Sequence, residues 1–281
     1  MYLPSFNGCW AKVERAKEHR DSLDTYLREE VLIEGNSPTL AMKFKPKTSE
    51  YILYIDTLPD FGPMMERIGV LIGDFAHNLR GALDHLVYQL ALIHLDGQLL
   101  DERRIQMPIE DEPVGFLQRC HFRNRGGGWI RQLSPKDWAI IKAYQPYDGR
   151  HLDTSMNLHF HPLAVLRDLS NRDKHRLLAE VWLPTAGFKF PSMNAAAIIY
   201  MGSMFLRFTN PKTPLVVRAE LGAEVARIRQ PRNDNIPDEM KMCGYVTPHI
   251  VLTDLDVPIV GMLDRIAAAV TNLIREFAPV P

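Results

Sequence analysis

The stretch GDFAHNLRGALDHLVY, residues Gly73–Tyr88, decides the fold expected for this chain. On a helical wheel of about 100° per residue it separates into two faces. The apolar face comprises Phe75, Ala76, Leu79, Ala82, Leu83, Leu86, Val87 and, just beyond the stretch, Leu90. The polar face comprises Asp74, His77, Arg80, Gly81, Asp84, His85 and Tyr88. This pattern predicts an amphipathic central helix over residues 63–96, with Pro63 in its first turn and Gly97 as its C-terminal cap.

The polar face of this helix has an unusual composition. A solvated helix face is normally rich in Lys, Glu and Gln, whereas this one carries His, Arg, Asp and Tyr. His77, Arg80 and Asp84 are spaced i, i+3 and i+7, so contacts along the helix are expected. Imidazoles beside a guanidinium and a carboxylate suit proton transfer near neutral pH. The alternative is a buried Arg–Asp pair that fixes the register of a helical bundle.

The segments around the central helix predict an α+β fold. An N-terminal helix and a β-hairpin are expected within residues 9–57, a β-rich part over 176–253 and a C-terminal helix over 257–277. A further helix is expected to start at Ser134, a typical N-cap, with Pro135 in its first position. We therefore predict a helical bundle around one long central helix, packed beside an antiparallel β-sheet in a single domain, 1–281.

The composition limits the classes of function. The net charge is −1, so contact with nucleic acid needs a local basic patch. Uncharged apolar runs are shorter than the roughly 18–20 residues that span a bilayer, so no membrane association is expected. Cys9, Cys120 and Cys243 are far apart and form no CxxC pair, which favours a reducing cytoplasm. Phosphate-loop and dinucleotide motifs are absent from the sequence, and neither a cofactor nor a metal is expected.

The segment Arg80-Gly81-Ala82-Leu83-Asp84-His85 has the form Arg-x4-His. It resembles the signature of the HEPN (higher eukaryotes and prokaryotes nucleotide-binding) superfamily, helical domains that include many ribonucleases of toxin and phage-defence systems. The resemblance covers about ten residues and implies a metal-independent endoribonuclease that acts as a homodimer. It implies that Arg80 holds the phosphate charge and that His85 moves protons, with His77 and Asp84 beside them. In ribonucleases of the family a polar residue follows the Arg, where this chain has Gly81.

A second polar segment, Asn171-Arg172-Asp173-Lys174-His175-Arg176, follows a predicted helix. Its cations fit the C-terminal end of a helix electrostatically. We also expect Asn171, Lys174, His175 and Arg176, together with Tyr88, to bind RNA or another phosphate-bearing ligand, because Arg and Lys suit phosphate oxygens. The pairing of HNLRGALDHL with NRDKHR also resembles uncharacterised bacterial proteins, which implies no particular activity.

Three hypotheses follow from the sequence. The first is the endoribonuclease, which requires a solvent-reachable cleft at Arg80 and His85. The second is a non-enzymatic helical ligand-binding or interaction protein, in which the same residues form a structural polar network. The third is a small-molecule enzyme that uses a closed pocket of His77, Asp84 and His175.

Overall fold

The structure, a computed structural model, describes most of the helical part of the chain and pieces of the β-rich part. The described residues are 5–36, 39–57, 59–60, 62–98, 105–121, 132–148, 160–174, 181–182, 185–189, 206–207, 221–222, 224–229, 239–248, 251–252 and 258–278.

The contacts of the chain define two compact units. The first comprises Met1–Asp24, Glu66–Ala179 and Ile259–Pro281, and the second comprises Thr25–Met65 and Glu180–Pro258. The first unit holds most of the helical residues, and the second holds the β-strands. This arrangement confirms the α+β class predicted from the sequence. That the chain forms a single domain stays a prediction.

Six α-helices lie in the described part of the chain: α1, Asn7–Tyr26; α2, Gly62–His94; α3, Pro113–His121; α4, Pro135–Ala143; α5, Pro162–Lys174; and α6, Ile259–Arg275. A π-helical turn, Leu27–Val31, continues α1. The predicted cap of α4 is confirmed, since the Ser134 side chain accepts a hydrogen bond from the Asp137 backbone N–H. Among the described helices, α6 packs against α5.

The helix α2 is the predicted central helix. All eight residues assigned to its apolar face are buried, and Phe75, Leu79, Leu83 and Leu86 have no exposed surface. The chain leaves the helix through Asp96 and Gly97, both with positive φ, and the Gly97 N–H donates to the Leu92 carbonyl at 2.9 Å. This left-handed turn after the helix is the cap that the sequence predicts at Gly97.

The second unit contains an antiparallel sheet. Its strands are β1, Thr39–Lys45; β2, Glu50–Thr57; β4, Thr185–Lys189; β5, Leu206–Arg207; β6, Glu224–Arg229; and β7, Glu239–Pro248. They lie in the order β4-β7-β1-β2-β6-β5, and β3, Val181–Trp182, pairs with β8, Val251–Leu252. The hairpin predicted from the sequence is the β1–β2 pair, in which Lys45 lies opposite Glu50. None of the described helices is long and apolar enough to cross a membrane.

Candidate functional site

Arg80 and Asp84 bind the backbone of one residue, Met107, in a neighbouring segment. The Arg80 Nη2 donates to the Met107 carbonyl at 2.5 Å, and the Asp84 Oδ1 accepts from the Met107 N–H at 2.8 Å. The two side chains also pair with each other at 3.3 Å. The predicted Arg–Asp contact along α2 is therefore present, and both of its members also bind backbone.

The segment Ile105–Glu110 has no regular secondary structure, although its backbone is well satisfied. Gln145 donates from Nε2 to the Pro108 carbonyl at 2.9 Å and accepts through Oε1 from the Glu110 N–H at 3.0 Å. The side chains of Ile105, Met107 and Ile109 are buried. Side chains of α2 and Gln145, which follows α4, thus bind backbone groups that would otherwise need a neighbouring strand.

A pocket of about 120 Å³ opens where this segment meets α2 and α5. We call it the Arg80–Arg167 pocket. It is lined by Arg80 from α2, by Gln106, Met107 and Ile109 from the segment, and by Arg167, Ser170 and Asn171 from α5. All of these residues belong to the first unit. Arg80 of the central helix and Asn171, the first residue of the second polar segment, therefore line the same pocket.

Arg167 is the second cation of the pocket. Its Nη1 lies 2.7 Å from Asp111 and its Nε 2.8 Å from Asp168, and a longer contact of 3.5 Å joins Nη1 to the Ile109 carbonyl. Burial lowers the pKa of Arg167, whereas hydrogen bonds to Asp168 and Asp111 raise it, and the balance lies above the ordinary value. The two carboxylates therefore favour the charged form of the guanidinium.

The two arginines face the same ligand-sized space. Arg80 reaches the carbonyl of Met107, and Arg167 reaches that of Ile109. Both guanidinium-bearing side chains therefore border the same pocket.

Ser170 adds a neutral polar group to the pocket. The residue is only 2% exposed and lines the pocket from α5. Asn171, one position further along α5, is exposed at the same pocket.

His85 lies away from this pocket. A Cβ on Gly8 of α1 would lie 3.1 Å from the His85 Nδ1, so the imidazole lies beside α1 while Arg80 is held at Met107. Positions i and i+5 of an ideal helix differ by about 140°, which accounts for this separation. His85 and His77 are both exposed, and Tyr88 is half-buried.

The remaining predicted site residues lie at or beyond the end of α5. Lys174 is the last residue of α5, and its side chain lies outside the described part of the chain. His175 and Arg176 lie outside the described residues altogether. The hypothesis of a His77, Asp84 and His175 pocket therefore stays a prediction. Within the described residues, His77 has no hydrogen bond or ion pair to Asp84.

Sequence reasoning missed Arg167, Ser170 and the Met107 backbone. A signal for the first two exists, because Arg167, Ser170 and Asn171 are spaced i, i+3 and i+4 and so share one helix face. The backbone of Met107 has no such signal, because any residue type offers the same N–H and carbonyl groups. Only the tertiary structure reveals that Arg80 and Asp84 bind it.

His161, just before α5, has a structural role. Its carbonyl accepts from Ala164 and Val165, and its Nδ1 accepts from the Leu163 N–H at 3.2 Å, so it is the N-cap of α5. Among the residues that the structure describes, no group of three His, Cys, Asp or Glu side chains is placed to hold a metal.

Comparisons of the chain with protein-family models, with curated proteins and with solved structures gave no match. The function is therefore argued from the geometry of the pocket.

Proposed function

We propose that this protein binds a phosphate-bearing ligand, RNA or a smaller phosphate ester, in the Arg80–Arg167 pocket. One observation carries the proposal: two arginine side chains, 14% and 24% exposed, line the same small pocket from two helices. Arginine suits phosphate because its planar fork donates to two oxygens at once. Partial burial strengthens such a pair, because solvent screens it less than at an open surface.

The size of the pocket fits a phosphate group. Its volume of about 120 Å³ is well below the roughly 300–1,000 Å³ of pockets that enclose whole small molecules. A single phosphate group therefore enters, and the rest of the ligand stays outside. Ser170 and Asn171 supply neutral hydrogen-bond donors for the remaining phosphate oxygens.

The acidic neighbours leave the pocket open to an anion. Asp111 and Asp168 pair with Arg167, but their side chains are 58% and 60% exposed. Because water reaches these two carboxylates, their pairs with Arg167 are weaker than fully buried ones, and a phosphate can compete with them. Asp84 is engaged by the Met107 N–H and pairs with only one nitrogen of Arg80.

The test is a titration of the wild-type protein with inorganic phosphate, with adenosine monophosphate and with a short single-stranded RNA. Ionic strength is held constant, and the heat of each injection is measured by isothermal titration calorimetry. We expect at least one of the three ligands to bind saturably, with one molecule bound per chain. Ligands that bind are expected to compete with one another for the same site. Saturable binding of AMP and phosphate but not RNA identifies a small phosphate ester as the ligand. Heats of dilution alone for all three contradict the proposal.

The endoribonuclease is the second candidate, and the exposed imidazole of His85 on the same helix as Arg80 favours it. Arg80 contacts Met107, whereas His85 lies beside Gly8 of α1. An active site would therefore combine Arg80 of one chain with His85 of another. That arrangement needs the homodimer that the HEPN resemblance implies. In this case Arg80 binds the phosphate and His85 transfers protons to or from the ribose hydroxyl or the leaving oxygen.

Cleavage of mixed RNA in EDTA tests this candidate, with His85→Ala, Arg80→Ala and the exposed-residue control His94→Ala, each with a thermal melt. Loss of cleavage in the two folded variants but not in His94→Ala supports the enzyme. Intact RNA with the wild-type protein leaves the non-enzymatic binding protein as the function. A role in toxin or phage-defence systems and a cytoplasmic location remain parts of this proposal.

A further inference from the structure

Asp111 stands beside the Arg80–Arg167 pocket as an anion supplied by the chain itself. Its Oδ2 lies 2.7 Å from the Arg167 Nη1, the same nitrogen that approaches the Ile109 carbonyl. Asp111 follows directly on the segment that Arg80, Asp84 and Gln145 hold through its backbone. Its carboxylate is therefore kept near Arg167, although its side chain is 58% exposed.

We infer that the Asp111 carboxylate occupies the place on Arg167 that a ligand's phosphate takes, so that the pocket selects a terminal phosphate group. This inference rests on the proposed function. A phosphodiester carries one negative charge, so its exchange for the carboxylate leaves the number of ion pairs unchanged. A terminal phosphate carries a charge of about −1.5 to −2 at pH 7 and has three free oxygens. It can therefore replace the Asp111 carboxylate on Arg167 and also form an ion pair with Arg80.

The relation between Asp111 and Asp168 supports this role for Asp111. Asp168 is the sequence neighbour of Arg167 and pairs with Nε, so it moves together with Arg167 on α5. Asp111 belongs to a different segment and pairs with Nη1. When a phosphate displaces Asp111, the ion pair between Asp111 and Arg167 of α5 is lost. Ligand binding is thereby linked to the attachment of residues 105–111 to α5.

The chain offers a matched control for Asp111. Arg20 of α1 and Asp264 of α6 also form a pair of 2.7 Å, with side-chain exposures of 26% and 52% against 24% and 58% for Arg167 and Asp111. Neither Arg20 nor Asp264 lines the Arg80–Arg167 pocket. Asp264→Asn thus removes the same charge from the same kind of pair at a distant site.

The experiment titrates methyl phosphate and dimethyl phosphate into the wild-type protein, Asp111→Asn and Asp264→Asn at pH 7.5 and constant ionic strength. Methyl phosphate is expected to bind the wild type at least about tenfold more tightly than dimethyl phosphate. Asp111→Asn is expected to raise the affinity for methyl phosphate by up to about fivefold, the equivalent of one exposed ion pair. Asp264→Asn is expected to change it less than twofold.

Equal affinities for the two compounds, or the same affinity in Asp111→Asn as in Asp264→Asn, overturn the inference while the proposed function stands. Saturable binding of neither compound, to the wild type or to Asp111→Asn, overturns the inference and the proposed function together. A thermal melt of each variant establishes that it is folded, and Asp111→Ala repeats the test with a different side chain.

Discussion

At the scale of single residues, the polar side chains of α2 contact different neighbours. Arg80 binds the carbonyl of Met107 and Asp84 binds its N–H, while the exposed His85 lies beside α1. The structural and functional interpretations of this face are therefore compatible. Asp84 binds the Met107 N–H, whereas Arg80 both binds the Met107 carbonyl and lines the pocket.

The role of Asp84 predicts a loss of stability on substitution. Asp84→Ala leaves the Met107 N–H without its partner and is expected to lower the free energy of unfolding by about 2–3 kcal/mol. Asp74→Ala is the control, because it makes the same change on the same helix at an exposed residue. Denaturation in urea measures both. Equal stabilities of the two variants would contradict the structural role of Asp84.

The cap formed by His161 predicts a difference between two substitutions. Both His161→Asn and His161→Ala remove a buried ring, but only Asn retains a side-chain acceptor for the Leu163 N–H. The Asn variant is therefore expected to be more stable than the Ala variant by about 1 kcal/mol. If chemical denaturation gives the two variants equal stability, the ring of His161 does not cap α5.

The buried thiol of Cys9 predicts a dependence of stability on alkaline pH. Burial raises the pKa of Cys9 from 9.0 to about 11, so the neutral thiol is favoured in the folded state. Its contribution is complete below pH 9 and is lost as the pH rises to 11, which lowers the free energy of unfolding by roughly 2–3 kcal/mol. Urea denaturation from pH 8 to pH 11 is expected to show a shallower fall for Cys9→Ala. Parallel profiles for the two proteins would show that the thiol does not contribute.

At the scale of elements, the sequence predicts what local patterns determine. The faces of α2, the Gly97 cap, the Ser134 cap and the β1–β2 hairpin follow from helical spacing and turn residues, and each is confirmed. The segment Ile105–Glu110 could not be predicted in this way, because its backbone is bound by Arg80 of α2, Arg167 of α5 and Gln145, which are far apart in the sequence. Because this segment lines the pocket, local sequence patterns could not predict the pocket either.

The contact between α1 and α2 gives a prediction with a definite sign. Gly81 lies against the Lys12 side chain, whose Nζ would lie 3.1 Å from an added Cβ. The end of a lysine side chain moves easily, so Gly81→Ala is expected to gain helix propensity and raise the free energy of unfolding by about 0.5–1 kcal/mol. A double-mutant cycle with Lys12→Ala isolates the contact. Destabilisation by Gly81→Ala alone would show that Gly81 is needed for close packing.

At the scale of the whole molecule, the sheet shows the limit of prediction from sequence. The hairpin partners β1 and β2 are adjacent in the chain, but β1 also pairs with β7, which begins at Glu239, and β2 pairs with β6, which begins at Glu224. Pairing between strands so far apart depends on tertiary packing and loop closure. The sequence therefore predicts the α+β class and several elements of the sheet, but not the strand order.

If Arg80 and Arg167 together bind one phosphate group, removal of one guanidinium weakens phosphate binding, and a titration of inorganic phosphate into three proteins measures this effect. These are the wild type, Arg167→Gln and Arg20→Gln, the last removing a guanidinium with similar exposure and two carboxylate partners outside the pocket. We predict saturable binding to the wild type and to Arg20→Gln, and binding at least about tenfold weaker to Arg167→Gln, because a hydrogen bond to a charged group contributes about 1.5–3 kcal/mol. Equal affinities in all three proteins, or saturable binding in none, would contradict the claim.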